Sequence, residues 1–532
     1  MMSLRLRYTV LTSVAFLIVF LSTYFYRSGL TFSLTNNDIS SHPILTQLHD
    51  AIIPPTPPPP PPPPQPPIYK PTASAPAIPI VDNFPLAASA HSAAELPPLP
   101  SWNAPPSPHV KENTPLFIGF TRNWRLLQQV VVSYITSGWP ASDIYVVENT
   151  GVMDSNALGL LSLQNPFFLN HTRLQMLGVN VLVTPTLLTF AQLQNFYLWT
   201  ATEKEWAHYF WSHMDVAALS LESAARFPST NPTFAESSAE PEEWEKHTLY
   251  ANCLSWLRNV TSVLPTSGQP IKWASVFYSY DRLALVNVAA FKSIGAWDTM
   301  IPFYMTDCDM HARLTMGGYE IFERKAGLVY DVASSLDDLS VLYRQKSGPK
   351  GDIGEASWVD PNLLEKIRED EERAARAGLE KESPRKDKRD EKGEDKGEDT
   401  DHQAWSLAAL FAPHSSPSKP STSQSNPEPD PELWHSDTPS SPAYIHLTDI
   451  LDSMQGSKGS SSHGRNTWQA RQSGGQGEPF YRDSAGFEKG IQMTIEHGRA
   501  MFREKWGHRD CDIYEVGLRT ADAWRVEHDW KD

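Results

Sequence analysis

Acidic residues follow several apolar runs of this sequence, and carboxylates in such positions suit metal and phosphate chemistry. The run His208–Ser212 is mostly large and apolar, and it leads directly into His213, Met214 and Asp215. Such a run predicts a strand buried on both faces of a parallel sheet. Ligands of open α/β sheets bind beyond the carboxyl ends of the strands, where Asp215 could hold a divalent metal and its diphosphate. Alternatively, Asp215 is the N-cap of a helix in VAALSLESAA.

Polar residues of a similar kind close other predicted elements. Carboxylates gathered at one sheet edge would repel each other unless a cation or a proton-transfer role compensated. Mg²⁺ or Mn²⁺ with a pyrophosphate provides that compensation, because these ions prefer oxygen ligands and take few from the protein. The residues concerned are Thr121, Arg122, Asn123, Glu148, Asn149, Asp307, Asp309 and Asp331.

Structural roles are the alternative for each of these residues. Asp307 and Asp309 could be acids of a first helical turn, which the helix dipole favours. Glu148 could simply end a strand, and Asp331 could be a turn residue. Arg122 could serve packing rather than a ligand.

The elements that would position these residues alternate between strands and helices. This alternation predicts parallel βαβ units with right-handed crossovers. The predicted strands are Leu116–Phe120, Asp143–Val147, Val179–Val183, the run from His208, Trp273–Tyr280 and a last one near Ala326–Tyr330. Helices are predicted between Leu126 and Ile135, over Leu187–Trp206, Leu283–Ile294 and Phe487–Trp506, and in the segment Phe303–Leu314.

The order of these segments resembles that of GT-A-fold glycosyltransferases, above all the family-2 type. FTRN matches the turn after that family's first strand, VVEN its second strand and acid, and WSHMD its DxD-type strand. The stretch IGAWDTMIPFYMTDCDMHARLTMGGYEI is similar to the family's acidic (E)DxD…R segment and its Gly-Tyr turn. The matches cover residues 115–335. The resemblance implies a GT-A-type (Rossmann-like), mostly parallel sheet flanked by helices.

The resemblance also implies roles for single residues. Asp307 would be the general base for the acceptor hydroxyl, with Asp309 orienting the helix or holding Arg313. Asp215 would ligate Mn²⁺ or Mg²⁺ at the diphosphate, and Asp331 could be a second ligand. Thr121 and Glu148 would contact the base of the nucleotide. The wider set at the nucleotide-sugar donor is Thr121, Arg122, Asn123, Glu148, Asn149 and His213.

Two positions depart from the family pattern. His213 replaces the first acid of DxD, so it could ligate a metal or contact phosphate directly. Thr306 stands where a Glu usually precedes the base. The first departure bears on metal dependence, the second on the assignment of Asp307.

The division of the chain into segments predicts a membrane-anchored protein. Residues 1–7 form a cytosolic tail, and 8–26 are 19 uncharged, mainly apolar residues that predict a transmembrane anchor, with a cleaved signal peptide as the rival. A proline-rich stalk at 27–112 precedes the catalytic domain at 113–345. Residues 346–440 predict a disordered, charged insertion, and 441–532 a helical extension that packs on the catalytic domain.

Charge and cysteines narrow the partners and the compartment. A net charge of −17 without a basic stripe excludes a nucleic-acid partner. Cys253, Cys308 and Cys511 allow one disulfide and one leftover thiol in an oxidising compartment. Sequons at Asn170 and Asn259 suit the same compartment.

Together these patterns predict a single-pass type II protein of the Golgi or ER membrane with a lumenal catalytic domain. It would be an inverting, metal-assisted glycosyltransferase that acts on a glycan or glycoprotein. One alternative is a GT-A-like transferase that retains configuration or needs no metal. The alternative from another class is a catalytically silent, membrane-tethered carbohydrate-binding or scaffold protein with a GT-A-like sheet. His213 favours this alternative, and the three acids Asp215, Asp307 and Asp309 favour the enzyme.

Overall fold

The structure is a computed structural model that describes part of the chain. It covers residues 79–223, 242–262, 271–346, 355–363, 438–460, 474–479 and 484–531, with short pieces at 66–68, 366–367, 370, 373–374 and 435–436. The predicted anchor, most of the stalk and most of the charged insertion lie outside these residues. Within the described parts, no helix has the length and apolar character needed to cross a bilayer. The helices and strands given below belong to one compact unit, Ala75–Asp532.

A seven-stranded, mostly parallel sheet forms the centre of this unit, as the sequence predicts. Its strand order is β3-β2-β1-β4-β7-β6-β8, and only β7 runs antiparallel to its neighbours. Strands β5 and β9 form a separate antiparallel pair, as do β10 and β11. The strands are β1 Leu116–Phe120, β2 Ile144–Glu148, β3 Asn180–Val183, β4 His208–Ser212, β5 Val216–Leu219, β6 Trp273–Ser279, β7 Leu283–Asn287, β8 Glu320–Glu323, β9 Leu328–Asp331, β10 Gln345–Lys346 and β11 His435–Ser436.

Helices cover both faces of the central sheet. They are α1 Pro85–Ser89, α2 Trp124–Thr136, α3 Met153–Ala157, α4 His171–Met176, α5 Phe190–Glu203, α6 Leu249–Thr261, α7 Val288–Ser293, α8 Thr306–Met316, α9 Pro442–Ser460 and α10 Ser484–Trp506. Helices α2 and α6 pack in one hydrophobic core, and α5, α7 and α8 pack in the other. The sheet is therefore buried on both sides.

Alternation along the central strands explains the two cores. Ile118 of β1 and Phe210 of β4 belong to the core under α2, whereas Phe117 and Trp211 belong to the core under α5. Successive side chains of a strand point to opposite faces, so a strand covered on both faces is apolar throughout. This is the pattern that the run His208–Ser212 shows.

Two helix predictions were wrong. The first five residues of Leu283–Ile294 form strand β7, and only the short α7 follows. The segment after Asp215 forms strand β5 rather than a helix. Both strands consist of residues that are almost all buried, so the period that separates strand from helix is lost. Asp215 is consequently not a helix cap.

The C-terminal segment packs on the sheet domain through two helices. Helix α9 lies against β9, and α10 lies against α8. A disulfide joins Cys308 of α8 to Cys511, which follows α10, and Cys253 is a buried free thiol. One disulfide and one leftover thiol is the combination that the cysteine count allows.

Candidate functional site

The turn after β1 is shaped by Asn123. This residue has a left-handed backbone, with φ of 73°, and its side chain accepts a hydrogen bond from the Leu126 amide at the start of α2. Thr121 is half-buried beside it. Arg122 is buried, donates to Glu488 of α10 at 2.8 Å and stacks on Phe487. Arg122 thereby ties α10 to this strand end.

Glu148 and Asn149, after β2, are buried and engaged by the protein. One Glu148 oxygen accepts from Thr150 and Asn156, at 3.0 and 2.7 Å. The other lies 2.7 Å from Nε2 of His171. The Asn149 amide binds both the N–H and the carbonyl of Leu188. Both side chains are therefore hydrogen-bonded to other protein groups at the end of β2.

Asp215 and Asp331 meet in space although 116 residues separate them in the sequence. The antiparallel pairing of β5 with β9 places Val216 opposite Asp331, and the Val332 amide donates to the Asp215 carbonyl at 2.9 Å. Lys458 of α9 reaches between the two carboxylates, 2.6 Å from Asp215 and 2.5 Å from Asp331. The two acids predicted to share a metal therefore share an ammonium group.

Two further basic side chains, Arg282 and His213, flank this pair of acids. Arg282 donates to the second oxygen of Asp331 at 3.3 Å, and Nδ1 of His213 lies 3.6 Å from the second oxygen of Asp215. Burial would raise the pKa of Asp215, but Lys458 and His213 outweigh it and hold that pKa well below its usual value. Burial would lower the pKa of His213, but Asp215 and Asp281 raise it overall. Both residues are therefore stabilised in their charged forms.

Asp307 lies in the first turn of α8, as predicted. The preceding Met305 has a left-handed backbone with φ of 74°, a conformation that costs a non-glycine residue of order 1–3 kcal/mol and recurs at functional sites. Tyr280 donates its hydroxyl to Oδ2 of Asp307 at 3.0 Å. Burial and the charge of Asp307 raise the pKa of Tyr280, so the phenol stays a donor at neutral pH.

The turn between β6 and β7 links Asp307 to the cluster of Asp215, Asp331 and Lys458. Tyr280 binds Asp307, and Arg282, two residues later, binds Asp331. The Arg282 carbonyl also accepts from the His213 amide at 3.3 Å. A three-residue turn at the carboxyl end of β6 thus contacts both groups of acids.

Asp309, the second acid of α8, is fully buried and braces the helix. One oxygen binds Arg313 at 2.8 Å, which matches the alternative that Asp309 holds this arginine. The other binds Lys505 at 2.6 Å and the Trp506 indole N–H at 2.9 Å, both from α10. With every contact internal, Asp309 has no oxygen left for a substrate.

A cavity of about 800 Å³ opens beside Tyr280, the residue whose hydroxyl binds Asp307. Tyr280 lines it, as do the ends of β6 and β8, one side of α6 and the 3₁₀ segment Glu243–Lys246. Its aromatic residues are Trp244, Trp256, Phe277, Tyr278 and Tyr280, and its charged residues include Glu243, Glu323, Arg324 and Lys325. Such a mixture of aromatic faces and hydrogen-bonding groups suits a polar ligand with apolar patches.

The structure groups the predicted residues only in part. Asp215, His213 and Asp331 form one cluster, and Asp307 joins it through the turn. Glu148, Asn149, Arg122 and Asp309 are each held by other partners. The sequence reasoning missed Lys458, Arg282 and Tyr280. Tyr280 is the last residue of a predicted strand and Arg282 follows it, so the rule applied to the other strand ends would have found them.

The predicted metal ligands do not fit a divalent ion as they are placed. The inner oxygens of Asp215 and Asp331 both bind Lys458, and the outer ones face His213 and Arg282. Mn²⁺ or Mg²⁺ at these residues therefore remains a prediction of the sequence. A separate group with metal-ligand spacing, His508, Asp510 and Asp512, is mostly exposed and lies among residues that follow α10.

Comparison with known proteins gives a limited likeness. No family model matches the chain, and no curated protein matches it. A mannosyltransferase from Pyrobaculum calidifontis, solved with GDP-Man and Mn²⁺, is 12% identical over 42% of this chain and 58% of its own, with a TM-score of 0.25. TarS of S. aureus is 8% identical over 41% of this chain and 36% of its own, with a TM-score of 0.25. A cytidylyltransferase from Leptospira borgpetersenii is 9% identical over 42% of this chain and 83% of its own, with a TM-score of 0.23.

Proposed function

We propose that this chain is a glycosyltransferase that moves a sugar, with inversion, from a nucleotide-diphosphate donor to a glycan or glycoprotein. One observation carries the proposal. The turn Tyr280–Arg282 touches the candidate base Asp307 on one side and the Asp331 cluster on the other. Transfer requires a base and a phosphate-binding group close to one sugar carbon, and positioning of this kind supplies much of enzymatic rate enhancement.

The reaction that this arrangement supports is a direct displacement. The acceptor hydroxyl oxygen forms a bond to the sugar's anomeric carbon as the bond from that carbon to the diphosphate oxygen breaks. Oδ1 of Asp307 takes the hydroxyl proton, while Tyr280 holds Oδ2. The leaving nucleoside diphosphate carries away the bonding electron pair.

The donor nucleotide would lie at the ends of β1 and β2. Thr121, Asn123 and Asn149 remain the proposed contacts there, and Arg122 acts by fixing α10. Glu148 would meet a base N–H only if His171 or Asn156 gave up its present bond to that carboxylate. Between the two acids Asp215 and Asp331, the cation now present is Lys458.

The acceptor would enter the cavity lined by Tyr280. Tyr280 also donates to Asp307, so an acceptor hydroxyl bound near Tyr280 would approach the base. Trp244 and Trp256 line this cavity, with Lys325 over the ring of the first and Arg324 over the ring of the second. Sugar rings can pack beside these ring–cation pairs, and Glu243 and Glu323 can accept hydrogen bonds from hydroxyl groups.

Trp244→Ala is expected to raise the KM for the acceptor and lower kcat/KM about tenfold, since an aromatic contact of this kind contributes roughly 1.4 kcal/mol. The KM for the donor should not change. Steady-state kinetics with each substrate varied in turn measures both. Trp199→Ala, a truncation of a tryptophan that is 62% exposed on α5, is the matched control. Equal changes in the KM for the donor and the KM for the acceptor would show that the cavity does not bind the acceptor.

We also propose the membrane topology expected from the sequence, with residues 8–26 as the anchor in the Golgi or ER and the catalytic domain in the lumen. The disulfide Cys308–Cys511 supports an oxidising compartment. It joins α8, which carries Asp307, to the segment after α10.

The silent-scaffold alternative has one observation in its favour. Asp215, Asp331 and Lys458 are all buried, and Lys458 pairs with both acids, as in a structural ion network. The half-buried Asp307, bound by a tyrosine that lines an open cavity, favours the enzyme.

Release of UDP or GDP from a panel of nucleotide-diphosphate sugars, with a mixture of glycan acceptors, tests the proposed function. Acceptor-dependent release from one donor is expected for the full-length chain. If no donor is consumed and no nucleotide changes the melting temperature, the silent scaffold is the correct description.

A further inference from the structure

Lys458 occupies the space between the two carboxylates that the sequence assigns to a metal. Its ammonium donates to Asp215 at 2.6 Å, to Asp331 at 2.5 Å and to the Val332 carbonyl at 3.3 Å. An ammonium group has three N–H donors, and these three oxygens match them. The Lys458 side chain is only 4% exposed. This lysine is therefore an internal cation with an oxygen ligand set.

Helix α9 fixes the position of Lys458. Tyr444, Leu447, Leu451 and Met454 are buried on one face of α9, and Lys458 follows at the same helical spacing. Gln455, which follows Met454 on α9, accepts a hydrogen bond from the Asp331 amide at 2.9 Å. Asn362 donates to the Ser457 carbonyl at 3.0 Å. The lysine is thus placed by packing and by hydrogen bonds on both sides.

Basic side chains already face both carboxylates of this pair. Lys458 contacts Asp215 and Asp331, Arg282 contacts Asp331, and Nδ1 of His213 lies 3.6 Å from Asp215. A divalent ion could bind both acids only by displacing Lys458, which would leave a buried ammonium without its carboxylates. Arg282 is 27% exposed at the side chain, so it is the more accessible of the two cations for a phosphate group.

We propose that the ammonium of Lys458 fills the cation position between Asp215 and Asp331, so that this site binds no divalent metal. The consequence for catalysis rests on the proposed function: the donor diphosphate would be neutralised by side-chain cations, and transfer would continue in a chelator. The site would then recognise a nucleoside diphosphate in its metal-free form. Arg282, the more exposed of the two cations, would contact the phosphate.

Mn²⁺ binding to the purified full-length chain, followed by electron paramagnetic resonance, tests the proposal without any substrate. Wild type and Asp215→Asn should give the same titration, because Asp215 already binds Lys458. Lys458→Met should gain one Mn²⁺, and Lys458→Met with Asp215→Asn should lose it again. Lys272→Met, which removes a lysine whose ammonium donates to the Gly317 carbonyl, is the matched control.

Any Mn²⁺ at the exposed group around His508 would appear in all of these variants and cancels in the comparison. A wild-type Mn²⁺ site that Asp215→Asn removes would overturn the proposal. A folded Lys458→Met chain that gains no Mn²⁺ would overturn it as well. If Lys458→Met does not fold, the comparison of wild type with Asp215→Asn decides alone.

Transfer assays separate this proposal from the proposed function. Equal rates with EDTA and with Mn²⁺ are expected, and a rate that EDTA abolishes would contradict the role of Lys458. A chain that transfers no sugar under either condition, yet shows the expected Mn²⁺ titrations, would disprove the enzyme and leave the lysine-filled site in place.

Discussion

Asp307→Asn is expected to lower kcat by roughly 10²–10⁴-fold, the usual contribution of a general base. The amide has the shape of the carboxylate and can still accept the hydrogen bond from Tyr280, so the fold around α8 should persist. It cannot take a proton from an acceptor hydroxyl. Nucleotide affinity should stay within about twofold, which is well below the roughly 1.4 kcal/mol of a tenfold change. The reason is that the donor phosphates lie on the other side of the turn Tyr280–Arg282 in the proposed arrangement.

Single-turnover rates and calorimetric nucleotide affinities measure these two quantities separately. Asp154→Asn, at an exposed acid of the short helix α3, is the matched control and should leave both unchanged. A fully active Asp307→Asn variant would remove Asp307 from the reaction.

Asp309→Asn should act on stability instead. Asp309 is fully buried and neutralises Arg313 and Lys505, which are buried with it. Removing one member of a buried ionic group costs about 3–5 kcal/mol. Arg313 loses its carboxylate, whereas Lys505 keeps a second one in Asp298, at 2.7 Å. The amide oxygen can still accept from the Trp506 indole, so part of the α8–α10 contact survives. Urea unfolding followed by tryptophan fluorescence measures the loss.

The two substitutions on α8 control for each other. They remove one charge each, two residues apart on the same helix. Asp307→Asn should be stable and inactive, whereas Asp309→Asn should be destabilised and, where folded, active. The reverse pattern would assign the base to Asp309.

The sequence predicts most of the central sheet because its strands are short, continuous apolar runs. Strand β1 is found at its predicted bounds, and β2 within one residue. Strand β7 and helix α7 were predicted as one helix, since a segment buried on all sides shows neither period 2 nor period 3.6. Length and flanking residues do not separate the two cases there.

The candidate site was predictable where a polar residue follows a strand, and not where a distant helix supplies it. Asp215 and Asp331 were found by the first rule. Lys458 lies on α9, 127 residues after Asp331 in the sequence, and only the packing of that helix brings it to the two acids. A signal exists in α9, because Lys458 continues the buried stripe of Tyr444, Leu447, Leu451 and Met454. A lysine on such a stripe requires a buried acid, but the sequence does not identify which acid.

The mass of the acceptor after reaction tests the central claim most directly. Full-length protein is incubated with the donor that the screen selects and a defined glycan acceptor, and products are analysed by mass spectrometry beside Asp307→Asn. We expect the wild-type acceptor to gain the mass of one glycosyl residue and the variant acceptor to remain unchanged. An acceptor of unchanged mass with every donor, or an equal gain with Asp307→Asn, would contradict this account.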